Sequence, residues 1–494
     1  MGQFISSVGI IGLGPMGRNF SLNLLDQGYE VVAYDNDQEK YEELSSYTRE
    51  TDKVTCATSI KDFIEHLPKP RAIFLLVPAG SIVSAVCDTL LNEGLDKDDI
   101  IVDFGNSFWK DSEERLKRYH GQVQFLCCGI SGGESGARHG PSLMVSGDQP
   151  AWEHISPILN KVSAKPMWAD DESLDEPFSR SYRCVEYFGQ GPTGHFVKMV
   201  HNGIEYAVMQ SIAEVYAGLR ELADLSPQEI SEVFTDWSST LKNYLLEASA
   251  TVLAHVDPKT NKPFVDIILD KAGQKGTGNW TGLASLEVGT ACSTIMAAVN
   301  ERMVSALKEQ RLIAADVLPA PDEVTTSVEQ QQMIANLKDA FICATLIAYA
   351  QGFTLLQDAK EKFEWDFDNG ALPKVWSGGC IIRAAVLQDY ARAFIDEPHT
   401  ENALLFTFSQ QEIANRQRGW RESMKAYIDA GVSAPTLSGA LNYYDSYRSA
   451  VLPATLIQAQ RDYFGAHGYL RNDDNTNTKF HTTWYADTPT ERKL

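Results

Sequence analysis

VGIIGLGPMGRN, residues 8–19, decides how the first third of the chain is read. A short apolar run of strand character enters Gly12, Gly14 and Gly17, and a helical pattern, RNFSLNLLDQ, follows and stops at Gly28. In a strand–loop–helix of this kind the glycines allow a tight turn. They also let a diphosphate sit at the helix N-terminus, where free N–H groups and the dipole favour an anion. A glycine-rich turn without a ligand leaves Asp35 unexplained. That acid ends the next strand pattern, EVVAY (30–34), at the place from which a carboxylate reaches ribose hydroxyls. Gly12, Leu13, Gly14, Pro15, Met16 and Gly17 are therefore read as a dinucleotide-binding loop, with Asp35 at its ribose end.

Outward from this unit, the runs AIFLLV (72–77), DIIVDF (99–104), QFLCCG (124–129) and SLMVSG (142–147) continue the alternation of strands with helical patterns. Near-continuous apolar strands joined by helical crossovers predict a mostly parallel, doubly wound α/β sheet, with SLMVSG as a further, mixed strand. Ligands of such sheets gather at the carboxyl ends of the strands, which here read GLGPMG, YDND, VPAG, GNS and SGGESG. From residue 192 the pattern becomes helix after helix, with candidates at 195–222, 284–310, 329–360, 380–394, 408–430 and 437–449. The change follows the acidic ADDESLDEP (169–177) and the turn-rich GQGPTG (189–194). The expected organisation is a Rossmann-type domain over 1–191, a large all-α domain over 192–449 and an extended C-terminal tail over 450–494.

Bulk composition narrows the partners. The 494 residues carry a formal charge of −23, which disfavours nucleic acid and anionic membranes because their phosphates are repelled. No apolar run approaches the roughly 20 residues that span a bilayer. The N-terminus runs almost at once into a strand pattern, so no secretory signal is expected. The eight cysteines form no CxxC pair and show no metal-like spacing. They read as reduced core residues, no metal is expected, and the default location is cytoplasmic.

KMVHNGIEY (198–206) lies inside a long helical pattern and places Lys198, His201, Asn202 and Glu205 at i, i+3, i+4 and i+7, on one face. The same column continues as Val208, Met209 and Ile212, and the rest of the helix is apolar. A solvated face does not turn apolar after two turns, so the column is expected to face a cleft. Titratable residues of opposite charge collected there are candidates for acid/base chemistry.

Taken together, GLGPMGRN, DFGNS, GISGGESGARHGPSLMVSG, GHFVKMVHNGIEY, QKGTGNWT, GGCIIRA and YYDSYRSAVLPATLIQAQRDYFGAH resemble the 6-phosphogluconate dehydrogenase family over essentially the whole chain. The resemblance implies hydride transfer from C3 of 6-phosphogluconate to a nicotinamide, then metal-free decarboxylation to ribulose 5-phosphate. It implies that Lys198 is the base that takes and returns the C3 hydroxyl proton, and that Glu205 protonates C1 of the enediol. It further implies contacts to the sugar acid from Asn106, Ser131, Gly132, Gly133, His201 and Asn202. Phosphate ligands would be Tyr206, Lys275, Thr277, Arg302 and, from the tail, Arg461, with His467 nearby. The tail residues are expected to complete the site of a partner subunit in a homodimer. Val77, Pro78, Ala79 and Asn106 are expected at the cofactor. Glu134 and Arg138 are read as structural.

The chain also departs from the family. Asn279 stands in KGTGNW, and Pro78 in LLVPAG, where the family often has lysine; the stretch 165–190 looks longer than usual. After strand two, Asp35-Asn36-Asp37 replaces the usual Asn-Arg-Thr/Ser, so NAD is expected to be favoured, with NADP possible. Arg18 and Lys40 are the basic side chains that could serve a 2′-phosphate instead. A related β-hydroxyacid dehydrogenase would keep Lys198 and Asn202 but not Lys275, Arg302 and Arg461 together. A non-catalytic homologue should have lost Lys198 or Glu205, and neither is lost.

Overall fold

A computed structural model describes residues 5–169, 182–321 and 328–494. The acidic segment, and with it the middle of the stretch 165–190, lies outside the described residues. The chain divides into two compact units, Met1–Ala440 and Leu441–Leu494.

In the first unit eight strands form one sheet: β1 Ser7–Ile11, β2 Glu30–Tyr34, β3 Val54–Cys56, β4 Ala72–Leu75, β5 Ile100–Asp103, β6 Gln124–Ser131, β7 Ser142–Gly147 and β8 Val185–Tyr187. Their order is β3-β2-β1-β4-β5-β6-β7-β8, parallel throughout except for the antiparallel β6/β7 pair. The sheet is doubly wound, with a mixed edge. β3 and β8 were not expected: at three residues each they are too short to show a period. Successive side chains of β1 enter different cores, Val8 and Ile10 with Phe20 on one face and Ile11 with Ile73 and Leu75 on the other. Burial on both faces explains why these strands read as unbroken apolar runs. The strand order reverses between β1 and its neighbours, and the ends of β1, β2 and β4 open a crevice there.

The helical part begins with Thr193–Glu221. That helix packs against the 33-residue Gln330–Lys362 helix, where Gly352 lets Ile204 approach; a Cβ would lie 2.5 Å from the Ile204 side chain. Contrary to the reading of apolar runs, Gln330–Lys362 is long and apolar enough to cross a membrane, but it is mostly buried among the other helices. Two expected helices are corrected. Residues 284–310 span parts of three, Thr277–Val288, Ser293–Ser305 and Lys308–Val317, because Gly289 takes a left-handed φ of 95° and closes the first. Residues 380–385 precede the Val386–Asp396 helix: the N–H groups of Ile381 and Ala385 donate to Ser131 Oγ and the Leu241 carbonyl instead of to a helical turn. Helices at Pro227–Leu241 and Tyr244–Ala254 were not expected.

The second unit is more ordered than a plain tail. Ala454–Gly465 is a helix, and Phe480–Thr482 pairs with Glu491–Lys493. Buried Asp462 ties these together, accepting from the N–H groups of Gly468 and Thr482 and from the Trp484 indole.

Candidate active site

A cleft of about 1420 Å³ runs from the strand ends to the Thr193–Glu221 helix. At one end the glycine loop is shaped by close approach. Gly12 has φ +95°, with a Cβ position only 2.5 Å from the Leu76 carbonyl, and a Cβ on Gly17 would strike the Gly12 carbonyl at 1.8 Å. Gly14 faces open space. The helix that follows, Pro15–Asp26, has no side-chain cap and no acid in its first turn, so its free N–H groups remain available to an anion. Gly12, Gly14, Pro15, Met16 and Gly17 line this end together with Asp35, Asn36, Asp37, Val77, Pro78, Ala79 and Asn106. Leu13 does not line it. Its side chain is buried, and its N–H donates to Asp35 Oδ2 at 2.7 Å, while Asp35 Oδ1 accepts from the Asp37 N–H at 3.0 Å. Asp35 thus braces the loop and still has lone pairs for a ribose.

At the other end Lys198, Asn202 and Glu205 form a wall with Ser131, Gly132, Gly133 and Lys275. Lys198 can approach β6 because residue 129 is glycine; a Cβ there would lie 2.3 Å from Lys198 Cβ. Burial pushes the Lys198 amine below the ordinary lysine value, opposed chiefly by the Glu205 carboxylate. Burial raises the Glu205 carboxyl, opposed by Lys198 and Arg302. The two groups are shifted toward each other, as an acid/base pair working near neutrality requires.

His201 is the member of the column that does not reach the cleft. It is fully buried behind the wall, with Nδ1 3.3 Å from Lys198 Nζ and 3.0 Å from Asn202 Oδ1. Its Nε2 lies 2.9 Å from Ser131 Oγ and 2.8 Å from Cys380 Sγ. Burial and the adjacent Lys198 push its value well down, so the imidazole is neutral. A tautomer with the proton on Nδ1 donates to Asn202 and accepts from Ser131 or Cys380 at Nε2. Nothing in the sequence marks Cys380 for this place, because an apolar run gives no sign of what it packs against.

The remaining expected residues lie off the cleft lining. Tyr206 is buried, with the Arg302 guanidinium stacked over its ring at 3.5 Å, and Arg302 also donates to the Gly273 carbonyl at 3.0 Å. Thr277 is buried as the first residue of its helix. In the second unit Arg461 and His467 are both exposed. Arg138 pairs with Asp26, and Glu134 is exposed. Trp280 and Ile381 line the cleft without having been expected there.

Comparison with known proteins gives the family. The NAD binding domain of 6-phosphogluconate dehydrogenase matches residues 7–174, and the 6-phosphogluconate dehydrogenase C-terminal domain matches residues 194–484. The chain belongs to the 6-phosphogluconate dehydrogenase family. The NADP(+)-dependent, decarboxylating 6-phosphogluconate dehydrogenase of Bacillus subtilis (strain 168) is 41% identical over 97% of this chain and 98% of its own. The decarboxylating 6-phosphogluconate dehydrogenase of Escherichia coli (strain K12) is 40% identical over 97% of this chain and 98% of its own. Among solved structures, Plasmodium falciparum 6-phosphogluconate dehydrogenase superposes with a TM-score of 0.89 at 36% identity, covering 97% of this chain and 100% of that one. That protein was determined in its apo form, with its cofactor NADP+ and with its substrate 6-phosphogluconate.

Proposed function

We propose that this chain oxidatively decarboxylates 6-phosphogluconate to ribulose 5-phosphate and CO2. The observation that supports it is a buried lysine and a half-buried carboxyl, Lys198 and Glu205, on the wall of the cleft whose far end is the glycine loop. Gly12, Gly14, Gly17 and the open start of the Pro15–Asp26 helix suit a dinucleotide diphosphate, and Asp35 its ribose. When bound, the nicotinamide supplies the hydride acceptor for C3. Lys198, its amine lowered by burial, takes the C3 hydroxyl proton when unprotonated. A ketone at C3 places the C1 carboxylate β to a carbonyl, so CO2 leaves as Lys198 returns its proton to the keto oxygen. Glu205, whose carboxyl burial raises above the ordinary glutamate value, then delivers a proton to C1 of the enediol. Neutral His201 fixes Asn202 and Ser131 around the sugar acid, with Asn106, Gly132 and Gly133 completing that end. Tyr206, Lys275, Thr277 and Arg302 take the phosphate, with Arg461 and His467 from a second subunit.

NAD is the preferred cofactor in this reading. The named B. subtilis and P. falciparum proteins use NADP, but here Asp35 and Asp37 line the dinucleotide end of the cleft, where their charge would oppose a 2′-phosphate, and Asn36 offers it no charge. The protein acts as a cytoplasmic homodimer with domains at 1–191 and 192–449 and a tail from 450. Exposed Leu283, Leu286, Leu312, Ile313 and Val317 support the association of two copies. A steady-state assay with 6-phosphogluconate and either cofactor, following CO2 release, tests the reading. Turnover is expected with both, with kcat/KM higher for NAD. Lys198→Met should bind substrate but lose about 100- to 10,000-fold in kcat. Retention of more than about a tenth of the turnover removes Lys198 from the role of base.

A further inference from the structure

We propose that Glu43 is a specificity-determining residue, holding Arg18 and Lys40 away from a 2′-phosphate so that the phosphorylated dinucleotide is refused. This rests on the cofactor reading above. Glu43 lies on the Glu39–Ser45 helix and gives one carboxylate oxygen to each of two cations. Oε2 accepts from Arg18 at 2.9 Å, and Oε1 accepts from Lys40 Nζ at 2.9 Å. Arg18 comes from the helix that opens at the glycine loop, and Lys40 lines the cleft beside Asp35, Asn36 and Asp37. The other basic side chains among the described lining residues, Lys198 and Lys275, belong to the substrate end. Arg18 is further engaged over the Tyr47 ring at 5.1 Å. These two are the cations that a phosphate at this end would need, and both are bound to the same carboxylate.

Charge decides the outcome more than the strength of either pair, because exposed ion pairs are individually weak. Asp35, Asp37 and Glu43 against Arg18 and Lys40 leave one net negative charge around the ribose end. The Lys40 ammonium is held above its ordinary value, first by Glu43 and then by Asp37 and Asp35, so it feels all three carboxylates. A ribose hydroxyl can donate into such a field. A phosphate monoester brings a charge of about −1.5 to −2, and it must pull both cations from Glu43 while leaving that carboxylate beside it. Glutamine at 43 keeps the shape, removes the charge and frees the cations.

The test compares wild type, Glu43→Gln, and Glu43→Gln combined with Lys40→Met. For each, kcat/KM is measured with NAD and with NADP, together with competitive inhibition by 2′-AMP and 5′-AMP. Glu43→Gln should raise the NADP-to-NAD ratio about 5- to 50-fold, the range set by one or two charge-assisted hydrogen bonds at a solvated site. It should tighten 2′-AMP more than 5′-AMP, and Lys40→Met should take most of the gain back. If wild type prefers NAD and Glu43→Gln leaves the ratio unchanged, or improves both cofactors equally, the inference fails while the cofactor reading stands. Wild-type preference for NADP overturns both, because the phosphate would then be served with Glu43 in place.

Discussion

The spacing of Lys198 from its neighbours is the most constrained feature of the site, and two predictions follow from it. Gly129→Ala puts a methyl 2.3 Å from Lys198 Cβ and 3.0 Å from the Gly194 carbonyl, so β6 and the long helix must part. Overpacking of this kind costs about 1–3 kcal/mol, and a displaced base can lose on the order of 100-fold in rate. Thermal unfolding and kcat should therefore both fall; a variant with wild-type kcat would show that Lys198 tolerates the shift. The second prediction concerns pH. A base works unprotonated, so kcat/KM should rise with pH through the Lys198 value, which burial sets below 10.5. The Glu205 charge raises that value, so in Glu205→Gln the acid limb of the residual activity should move to lower pH. An acid limb that stays in place separates the two groups. Lys198, Asn202 and Glu205 were legible in the sequence because helical spacing alone puts them in one column. The retreat of His201 behind the wall was not, since it depends on Ser131 and Cys380, which only the tertiary fold brings to its Nε2.

At the scale of elements, legibility followed length and periodicity. The buried strands β1, β2, β4, β5, β6 and β7 announced themselves as apolar runs, whereas β3 and β8 exist through pairing with longer neighbours. The breaks at Gly289 and at residues 380–385 are set by a left-handed turn and by tertiary hydrogen bonds, which side-chain periodicity does not record. Tertiary contacts also fix the far end of the column helix. Glu214 is buried and accepts from the N–H groups of Thr436 and Leu437 at 2.9 and 2.8 Å, at the start of the Pro435–Tyr447 helix. Burial raises its carboxyl from 4.5 to about 7, against the pull of those donors. With a folded value above the unfolded one, the native state binds the extra proton between these limits, and stability falls as pH rises from about 4.5 to about 7. Glu214→Gln should flatten that part of the curve of Tm against pH. An unchanged slope would assign the dependence to other groups. Tyr427, whose hydroxyl donates to the Glu214 carbonyl, is pushed further up by burial and does not titrate in this window.

At the scale of the whole molecule, each of the two units exposes large apolar side chains. In the first, Leu286, Ile313 and Val317 are 68%, 65% and 70% exposed; in the second, Leu456, Ile457 and Phe464 are 63%, 59% and 68% exposed. If two copies associate, a two-fold arrangement would bury both copies of each patch. The second unit is built to present side chains. Asp462 draws residues 468–484 around the Ala454–Gly465 helix, leaving Arg461 and His467 outside. If those two residues complete the site of the partner subunit, defects in different chains should complement. An Arg461→Ala chain supplies an intact Lys198 and Glu205, and a Lys198→Met chain supplies an intact tail. Their heterodimer therefore contains one site with every group present and one with neither Lys198 nor Arg461. Co-expression with two affinity tags isolates that heterodimer, and its kcat per dimer should recover to about half that of wild type, the share of one site in two, while each parent homodimer stays low. A purified heterodimer no more active than its parents would place each tail at the site of its own chain.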